Sequence, residues 1–299
     1  MFNFIKYSKI YFGITAIFAI ASILSLIFFG LNLGMDFQGG TSIKVEYENN
    51  TPQIDEVKKN LSIENYEIQS FGDKGIILKI KSKDIGAEEY NKVIEDLEIE
   101  GNKVVDSQFE TISPVVGSEL KQKTIIVAIV ALAFMLLYIA FAFRKVSGPI
   151  SSFQYGLVST LMLMNDVLIP FGVIAFLGNY YGMEFTIPIV TAILAVIGYS
   201  INNNIVIFDR IRENLYLNPK SNYTEVVNKS LNQVIGRCIN TSLTTLFVLI
   251  ALYYFFMGEG SIEYFALTAI IGIVIGTFSS IFLSSPILVK WVEVKESKR

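Results

Sequence analysis

An uncharged apolar run near the start of the chain most constrains what this sequence can fold into. Residues 10–30 contain no charged side chain, and about 20 apolar residues are enough helix to cross the hydrocarbon of a bilayer. Six segments are this long and apolar, near 10–30, 124–143, 150–178, 185–208, 238–257 and 264–290. Since 52% of the residues are hydrophobic and only 17% are charged, the sequence predicts a polytopic α-helical membrane protein with six transmembrane helices. No small-x-small cleavage site follows the first run, which we interpret as a retained anchor.

Lysine and arginine residues predict the orientation in the membrane. They lie before span one, between spans two and three (Arg144 and Lys145), between spans four and five, and at the C terminus, while the turns near 179–184 and 258–263 have none. Because positive residues of short loops stay in the cytoplasm, both termini are predicted to be cytoplasmic and residues 31–123 extracytoplasmic. The predicted domains are 1–30 (N terminus and first helix), 31–123 (outer domain), 124–290 (five-helix bundle) and 291–299 (cytoplasmic tail).

The outer domain alternates between strand and helix patterns. Thr41–Glu48 alternates apolar and polar residues, as a half-buried strand does. A short helix, two strands near Tyr66–Phe71 and Ile76–Lys81, a helix over Asp84–Glu100 and a last strand follow. The order βαββαβ predicts a small α+β domain with the ferredoxin-like arrangement. One face of its sheet would carry no helix, and would be either a contact surface or exposed to solvent.

Several functions are disfavoured by composition. The chain has no histidine and one cysteine, Cys238, so no metal site, disulfide or His-based catalytic dyad is predicted. The net charge of -3 gives no indication of nucleic-acid binding. The stretch from Gly34 to Thr41, with Asp36, Gly39 and Gly40, lacks the Gly-Lys-Ser/Thr of a phosphate loop and precedes a strand, which indicates a tight backbone crossing instead. We therefore expect no cofactor.

Polar side chains interrupt two of the predicted spans. Asp166 lies near the middle of span three, where a carboxylate costs about 2.5–3.5 kcal/mol on insertion scales and should face the bundle and a partner. In span four, Ser200, Asn203 and Asn204 share one helix face, while Asn202 points about 100° away from Asn203. Three adjacent amides cannot all face one neighbour, so they predict a hydrated cleft or several interhelical contacts.

Other charged and small residues have simpler interpretations. Arg237 opens span five, as either a snorkelling end residue or a functional partner. The GxxxG spacing of Gly272 and Gly276 in span six favours close helix packing over a moving interface. A charged group after span four is expected to form a salt-bridged anchor at the membrane surface, and consists of Asp209, Arg210, Arg212 and Glu213.

A segment between spans four and five carries an apolar stripe. Within Tyr223–Ile235, Val227, Leu231 and Val234 share one face and polar residues the other. This pattern predicts a short amphipathic helix that lies on the membrane surface or docks on the bundle.

Six motifs follow one another along the chain. They are GLNLGMDFQGGT (30–41), VVGSEL (115–120), NDVLIP (165–170), AVIGYSINNNIVIFDRIREN (195–214), GRCINTSLTTL (236–246) and GIVIGTFSSIF (272–282). Together they resemble the SecF family. SecF is the smaller subunit of the SecD–SecF protein-export complex, which is related to resistance-nodulation-division transporters. The resemblance covers nearly the whole chain. It implies a SecD partner, a place beside the SecY translocon in the bacterial inner membrane, and use of the proton gradient to pull preproteins across.

The chain departs from the family pattern where the family is thought to take up protons. The aspartate of the family's GYSIND is Asn203 here, and its His-Asp pair is Asn165-Asp166. Arg237 matches the arginine thought to interact with the missing aspartate. Three hypotheses remain: an export subunit whose proton step uses a carboxylate of the SecD partner with Asp166 as a helper, a scaffold subunit without proton coupling, and a small-solute efflux transporter. An enzyme is not expected, because paired intramembrane carboxylates are absent from the sequence pattern.

Overall fold

The computed structural model describes residues 2–49, 51–63, 66–71, 74–81, 85–98, 102–142, 151–258 and 260–297. Its elements, in chain order, are α1 (Ser8–Phe28), α2 (Met35–Gln38), β1 (Gly40–Tyr47), α3 (Ile54–Asn60), β2 (Tyr66–Phe71), β3 (Gly75–Lys81), α4 (Ala87–Leu97), β4 (Val104–Ile112), α5 (Pro114–Ala142), α6 (Ser152–Tyr181), α7 (Ile187–Leu217), α8 (Tyr223–Phe255), α9 (Ser261–Ser279), a π-helical segment (Ser280–Ser284) and α10 (Ser285–Ser297). A short 3₁₀ turn, Ile5–Tyr7, precedes α1.

Five helical stretches in the described part of the chain are long and apolar enough to cross a membrane. They are Ile5–Phe28, Phe153–Tyr181, Ile187–Leu217, Tyr223–Phe255 and Ser261–Lys295. These stretches coincide with predicted spans one, three, four, five and six, as expected of a multi-pass membrane protein. The predicted span 124–143 falls on α5, which is not one of the five, so the sixth span stays a prediction. Arg144 and Lys145, used above for orientation, lie outside the described residues.

Two helices are longer than predicted. α7 continues through the charged group to Leu217, and the predicted separate helix Tyr223–Ile235 is the first part of the continuous α8. The prediction of a break was wrong because a change from apolar to charged residues marks a membrane surface, not a helix end. Proline and a residue in the left-handed conformation commonly end a helix. Gly236 keeps the helical conformation, and a glycine inside a helix costs only about 1 kcal/mol.

The strands and two helices between Gly40 and Ile112 form what we call the sheet domain. Its four strands are antiparallel in the order β2-β3-β1-β4, and the predicted βαββαβ order is confirmed in the described residues. Alternate side chains of β1 and β3 are fully buried against α3 and α4, namely Ile43, Val45, Ile76, Leu78 and Ile80. The hydroxyl of Tyr47 donates a hydrogen bond to the carbonyl oxygen of Leu97 (3.0 Å), and burial raises the pKa of Tyr47 to about 12.

The helical bundle is organised around α7, which packs against α6, α8 and α9. Its buried face contributes much of the bundle core, with Ile189, Ile193, Ile197, Ile207 and Phe208. α1 packs on α6 at a close approach, where a Cβ atom on Gly172 would collide with Ser22. The hydroxyl of Ser25 donates a hydrogen bond to the carbonyl oxygen of Gly172 (2.8 Å).

The first turns of α8 dock on the bundle, where Val227 and Leu231 have no exposed surface. A Leu231→Glu change would bury a carboxylate without a partner, which costs several kcal/mol, so we expect a much lower yield of folded protein from membranes. Lys229→Glu, at an exposed position of the same helix, is the matched control and should leave the yield unchanged. Size-exclusion yield of tagged protein measures both variants, and equal yields would contradict a docked helix.

Candidate functional site

Asp166 is a fully buried carboxylate in the middle of α6. Its Oδ2 atom accepts a short hydrogen bond from the hydroxyl of Ser200 on α7. The hydroxyl of Ser279 on α9, which donates a hydrogen bond to the carbonyl oxygen of Gly276 (3.2 Å), also interacts with the carboxylate, and Nδ2 of Asn165 makes a weak contact with Oδ1 at 3.5 Å. Among the described residues no lysine or arginine pairs with Asp166. The carboxylate is therefore held by hydroxyl and amide dipoles from three helices and by no counter-charge.

The glycines of α9 bring α7 close enough to form this contact. A Cβ atom on Gly272 would lie 2.5 Å from Cγ2 of Val196, and one on Gly276 would lie 3.2 Å from Cβ of Ser200. The same Cβ on Gly276 would be 3.6 Å from Oδ2 of Asp166. The GxxxG spacing thus lies against α7, and its second glycine borders the hydrogen bond between Ser200 and Asp166.

The three asparagines of α7 point in different directions. Asn203 and Asn204 are 2% and 1% exposed, while Asn202 is exposed on the outside of the bundle. Within the described residues, Nδ2 of Asn203 and both polar side-chain atoms of Asn204 have no hydrogen-bond partner. An unpaired buried amide costs about 1–3 kcal/mol, so such groups need a specific reason, for example internal water or a second conformation. These two amides continue the polar surface from Ser200 toward the charged end of α7.

Buried serines on the last membrane helix complete the polar centre. Ser279, Ser280, Ser284 and Ser285 have no exposed surface, and the hydroxyl of Ser280 donates to the carbonyl oxygen of Ser200 (3.4 Å). The helix is π-helical over Ser280–Ser284, and π-helical bulges occur frequently at functional sites. The sequence pattern did not assign these serines to the site; the signal that was available is their clustering inside an apolar run.

Arg237 lies apart from this centre. It is exposed on α8, and its guanidinium group forms no hydrogen bond or ion pair with any residue that the structure describes. Asn240, Thr241 and Thr244 are exposed on the same face of the helix. No contact joins Arg237 to Asn203 or Asp166; instead, Arg237 belongs to a polar stripe on the outer surface of the bundle.

The charged end of α7 is held by ion pairs. Nη1 of Arg210 lies 2.6 Å from Oε2 of Glu213, and Nη1 of Arg212 lies 3.6 Å from Oδ1 of Asp209. Nε of Arg210 also donates to Oε1 of Gln233 on α8 (2.8 Å). These contacts fit the anchor expected for this cluster. The sequence pattern did not point to Asn214, which is buried beside them and donates through Nδ2 to Ser230 and Gln233.

The glycine-rich turn before β1 is a tight backbone crossing. Gly39 and Gly40 have φ values of 73° and 143°, in the region that favours glycine. A Cβ atom on Gly39 would lie 2.6 Å from the backbone of Pro114 at the start of α5. Oδ2 of Asp36 accepts a hydrogen bond from the backbone N–H of Ile187, the first residue of α7 (2.8 Å). The turn therefore joins the sheet domain to two long helices.

Removal of the Ser200 hydroxyl tests the polar centre directly. Ser200→Ala leaves a buried carboxylate without its short hydrogen bond, so we expect a loss of about 1–3 kcal/mol of unfolding free energy. Thr241→Ala, at an exposed position of α8, is the control and should be within about 0.5 kcal/mol of the parent protein. Denaturant unfolding in detergent measures both, and equal losses would contradict a buried contact at Ser200.

The fold and the site define a class: a multi-pass membrane protein with a small sheet domain after its first helix and a polar centre shared by three helices. Residues 92–294 match the family model described as protein export membrane protein SecD/SecF, C-terminal, and residues 24–51 match that of the SecD/SecF GG motif. The chain belongs to the SecD/SecF family of protein-export membrane proteins, so the resemblance inferred from the six motifs is confirmed.

Full-length relatives and solved structures agree. The chain is 36% identical to protein translocase subunit SecF of Thermobaculum terrenum, over 97% of this chain and 94% of the relative. It is 33% identical to protein translocase subunit SecDF of Thermus thermophilus, over 88% of this chain and 35% of that protein. The crystal structure of SecDF from Thermus, described as a translocon-associated membrane protein, superimposes with a TM-score of 0.80 and 31% identity, over 97% of this chain and 38% of that one. This chain thus spans well under half of the fused SecDF proteins.

Proposed function

We propose that this chain is an auxiliary subunit of the Sec protein-export machinery, which works with a SecD-type partner beside the SecY translocon late in preprotein translocation. The observation that carries the proposal is the similarity to SecF translocase subunits along 97% of the chain. The match to a fused SecDF structure, of which this chain covers 38%, supports a SecD-type partner in particular.

The proposed orientation has both termini in the cytoplasm of a bacterium and residues 31–123 outside its inner membrane, with α5 as the sixth span. The distribution of basic residues supports it. Lys6 and Lys9 lie at the start of α1, and Lys290 and Lys295 lie near the end of α10. In this orientation all four lysines lie on the cytoplasmic side of the membrane, and the sheet domain lies on the other side.

A SecD-type partner would cover the polar face of α7 and α8. The exposed Asn202 and the stripe that contains Arg237 lie on two neighbouring membrane helices, which are joined by a hydrogen bond from Tyr199 to Ser242 (2.9 Å). Polar groups that face lipid are costly, and interhelical contacts with a second subunit would satisfy them. A carboxylate on the partner is the group best suited to Arg237.

Proton coupling in this proposal uses that partner carboxylate, with Asp166 as a helper. Asn203 does not titrate in the ordinary pH range and so cannot carry the proton. Asp166 is the one buried carboxylate in the described membrane helices, and it has no counter-charge. Proton binding would remove the cost of its buried charge and change its hydrogen bond with Ser200, which gives α6 and α7 two alternative contacts.

Preprotein translocation into proton-energised vesicles tests this function, with each variant assembled with its SecD partner. We expect parent export to fall when an ionophore collapses the gradient. Asp166→Asn, which keeps the shape and one acceptor oxygen, should lower the gradient-dependent rate by about tenfold or more, since a lost proton acceptor commonly costs that much. Asn203→Asp should leave the rate unchanged if the partner supplies the carboxylate.

The outcomes separate the alternatives. A marked rise in the gradient-dependent export rate of the Asn203→Asp variant would assign the proton path to position 203. Asp166 would then not belong to that path. An export rate that does not change with the proton gradient in any variant would favour a scaffold subunit. Asn203 is consistent with that role, because its amide cannot carry a proton. Normal export together with altered drug tolerance in a deletion strain would contradict the export proposal and favour an efflux transporter.

A further inference from the structure

The face of the sheet that carries no helix lies on the membrane bundle. Nζ of Lys79, on β3, lies 2.8 Å from Oε2 of Glu184, in the short connection between α6 and α7. The two side chains are only 13% and 4% exposed, so the pair is shielded from solvent. Gln69 of β2 interacts with the hydroxyl of Tyr264 on α9 on the same side of the sheet. Side chains from two strands therefore hold the sheet domain to the bundle.

Backbone contacts tie the same connection to the segment between α1 and β1. The N–H of Phe185 donates to the carbonyl oxygen of Asn32 (2.6 Å), and the N–H of Gly34 donates to the carbonyl oxygen of Phe185 (2.9 Å). The rings of Phe37 and Phe185 stack with their centroids 5.8 Å apart. The segment between α1 and β1 and the connection between α6 and α7 are thus hydrogen-bonded to each other and are also held by an aromatic pair.

The N terminus of α7 is completed by a residue from this segment. The N-cap residue Thr186 makes no side-chain capping hydrogen bond. Oδ2 of Asp36 instead accepts a hydrogen bond from the backbone N–H of Ile187. A carboxylate at this position also interacts favourably with the helix dipole. From Ile187, α7 runs about 20 Å to Ser200 in the polar centre, at 1.5 Å per residue.

We infer that Asp36, Lys79 and Glu184 are positioning residues that make the sheet domain and α7 move as one unit. Any displacement of α7 at the Asp166–Ser200 contact then reaches the sheet domain through the ion pair and the capped helix end. In the proposed orientation the sheet domain lies outside the membrane, on the side to which preprotein is exported, so the inference rests on the proposed function for its consequence. The rigid connection itself does not depend on it.

An experiment that breaks and rebuilds the buried Lys79–Glu184 pair in the full complex tests this inference. The variants are Lys79→Ala, Glu184→Gln and the charge reversal that combines Lys79→Glu with Glu184→Lys. Lys92→Ala is the matched control, because Lys92 is exposed on α4, which covers the face of the sheet that points away from the bundle. Spin labels at Lys59→Cys and Tyr181→Cys, both exposed, report the distance between the two parts, while the native Cys238 is buried and should not label.

We expect a single narrow distance distribution in the parent and the control, a broad one in each single variant, and a narrow one again in the charge reversal. The gradient-dependent export rate should fall about fivefold in the single variants at unchanged complex yield, and recover at least in part in the reversal. Unchanged distances in the single variants would overturn the inference. Broadened distances with full gradient-dependent export would overturn the transmission from α7 to the sheet domain, because the ion pair would then be a structural connection only.

The two proposals can fail separately. If parent export shows no response to the gradient, the proton part of the proposed function fails, while the distance distributions still decide whether the ion pair holds the two parts together. If export responds but the ion pair has no effect on it or on the distances, the proposed function stands and this inference fails.

Discussion

The close approach of α7 and α9 is the constraint on which the rest of the bundle depends. Gly272 leaves no room for a side chain between the two helices and Gly276 leaves little, so Val196 and Ser200 lie directly against the α9 backbone. In a membrane, where burial of apolar surface from water cannot drive helix association, such small-residue contacts and interhelical hydrogen bonds do that work. Because the gap is this narrow, Ser200 is positioned at Asp166, and a third helix, α6, is drawn into the same polar contact.

The sequence predicted this centre better than it predicted the connections around it. Apolar length placed five of the helices, and the cost of a carboxylate in lipid required that Asp166 face the bundle. The angular spread of three adjacent asparagines required that Asn202 separate from Asn203 and Asn204, and the exposed Asn202 shows this separation. These predictions succeeded because each follows from the solvent properties of the bilayer and the geometry of one helix.

Features that join distant parts of the chain were not predictable in the same way. Lys79 and Glu184 are far apart in sequence, and nothing in either local segment indicates that they pair. Lys79 is a polar position of a strand, and Glu184 belongs to a turn that has no positive charge. Asp36 was placed in a backbone crossing, but its role as an acceptor for Ile187 depends on where α7 begins in space. Local patterns specify which side chains are buried or polar, whereas the pairing of two such side chains depends on the assembled fold.

Asp166 is a membrane carboxylate with no counter-charge among the residues that the structure describes, which affects the ways in which this protein can work. Asp166 is held by Ser200 and Ser279, which can rotate their hydroxyl groups and so can donate to an ionised carboxylate or accept from a protonated one. An arginine in that place would lock the charged form, and the exposed Arg237 lies elsewhere. Hydroxyl partners therefore leave both protonation states accessible. Under the proposed function, a proton that binds Asp166 would change the hydrogen bond that joins α6 to α7, and the end of α7 that we infer to be attached to the sheet domain would carry this change outward.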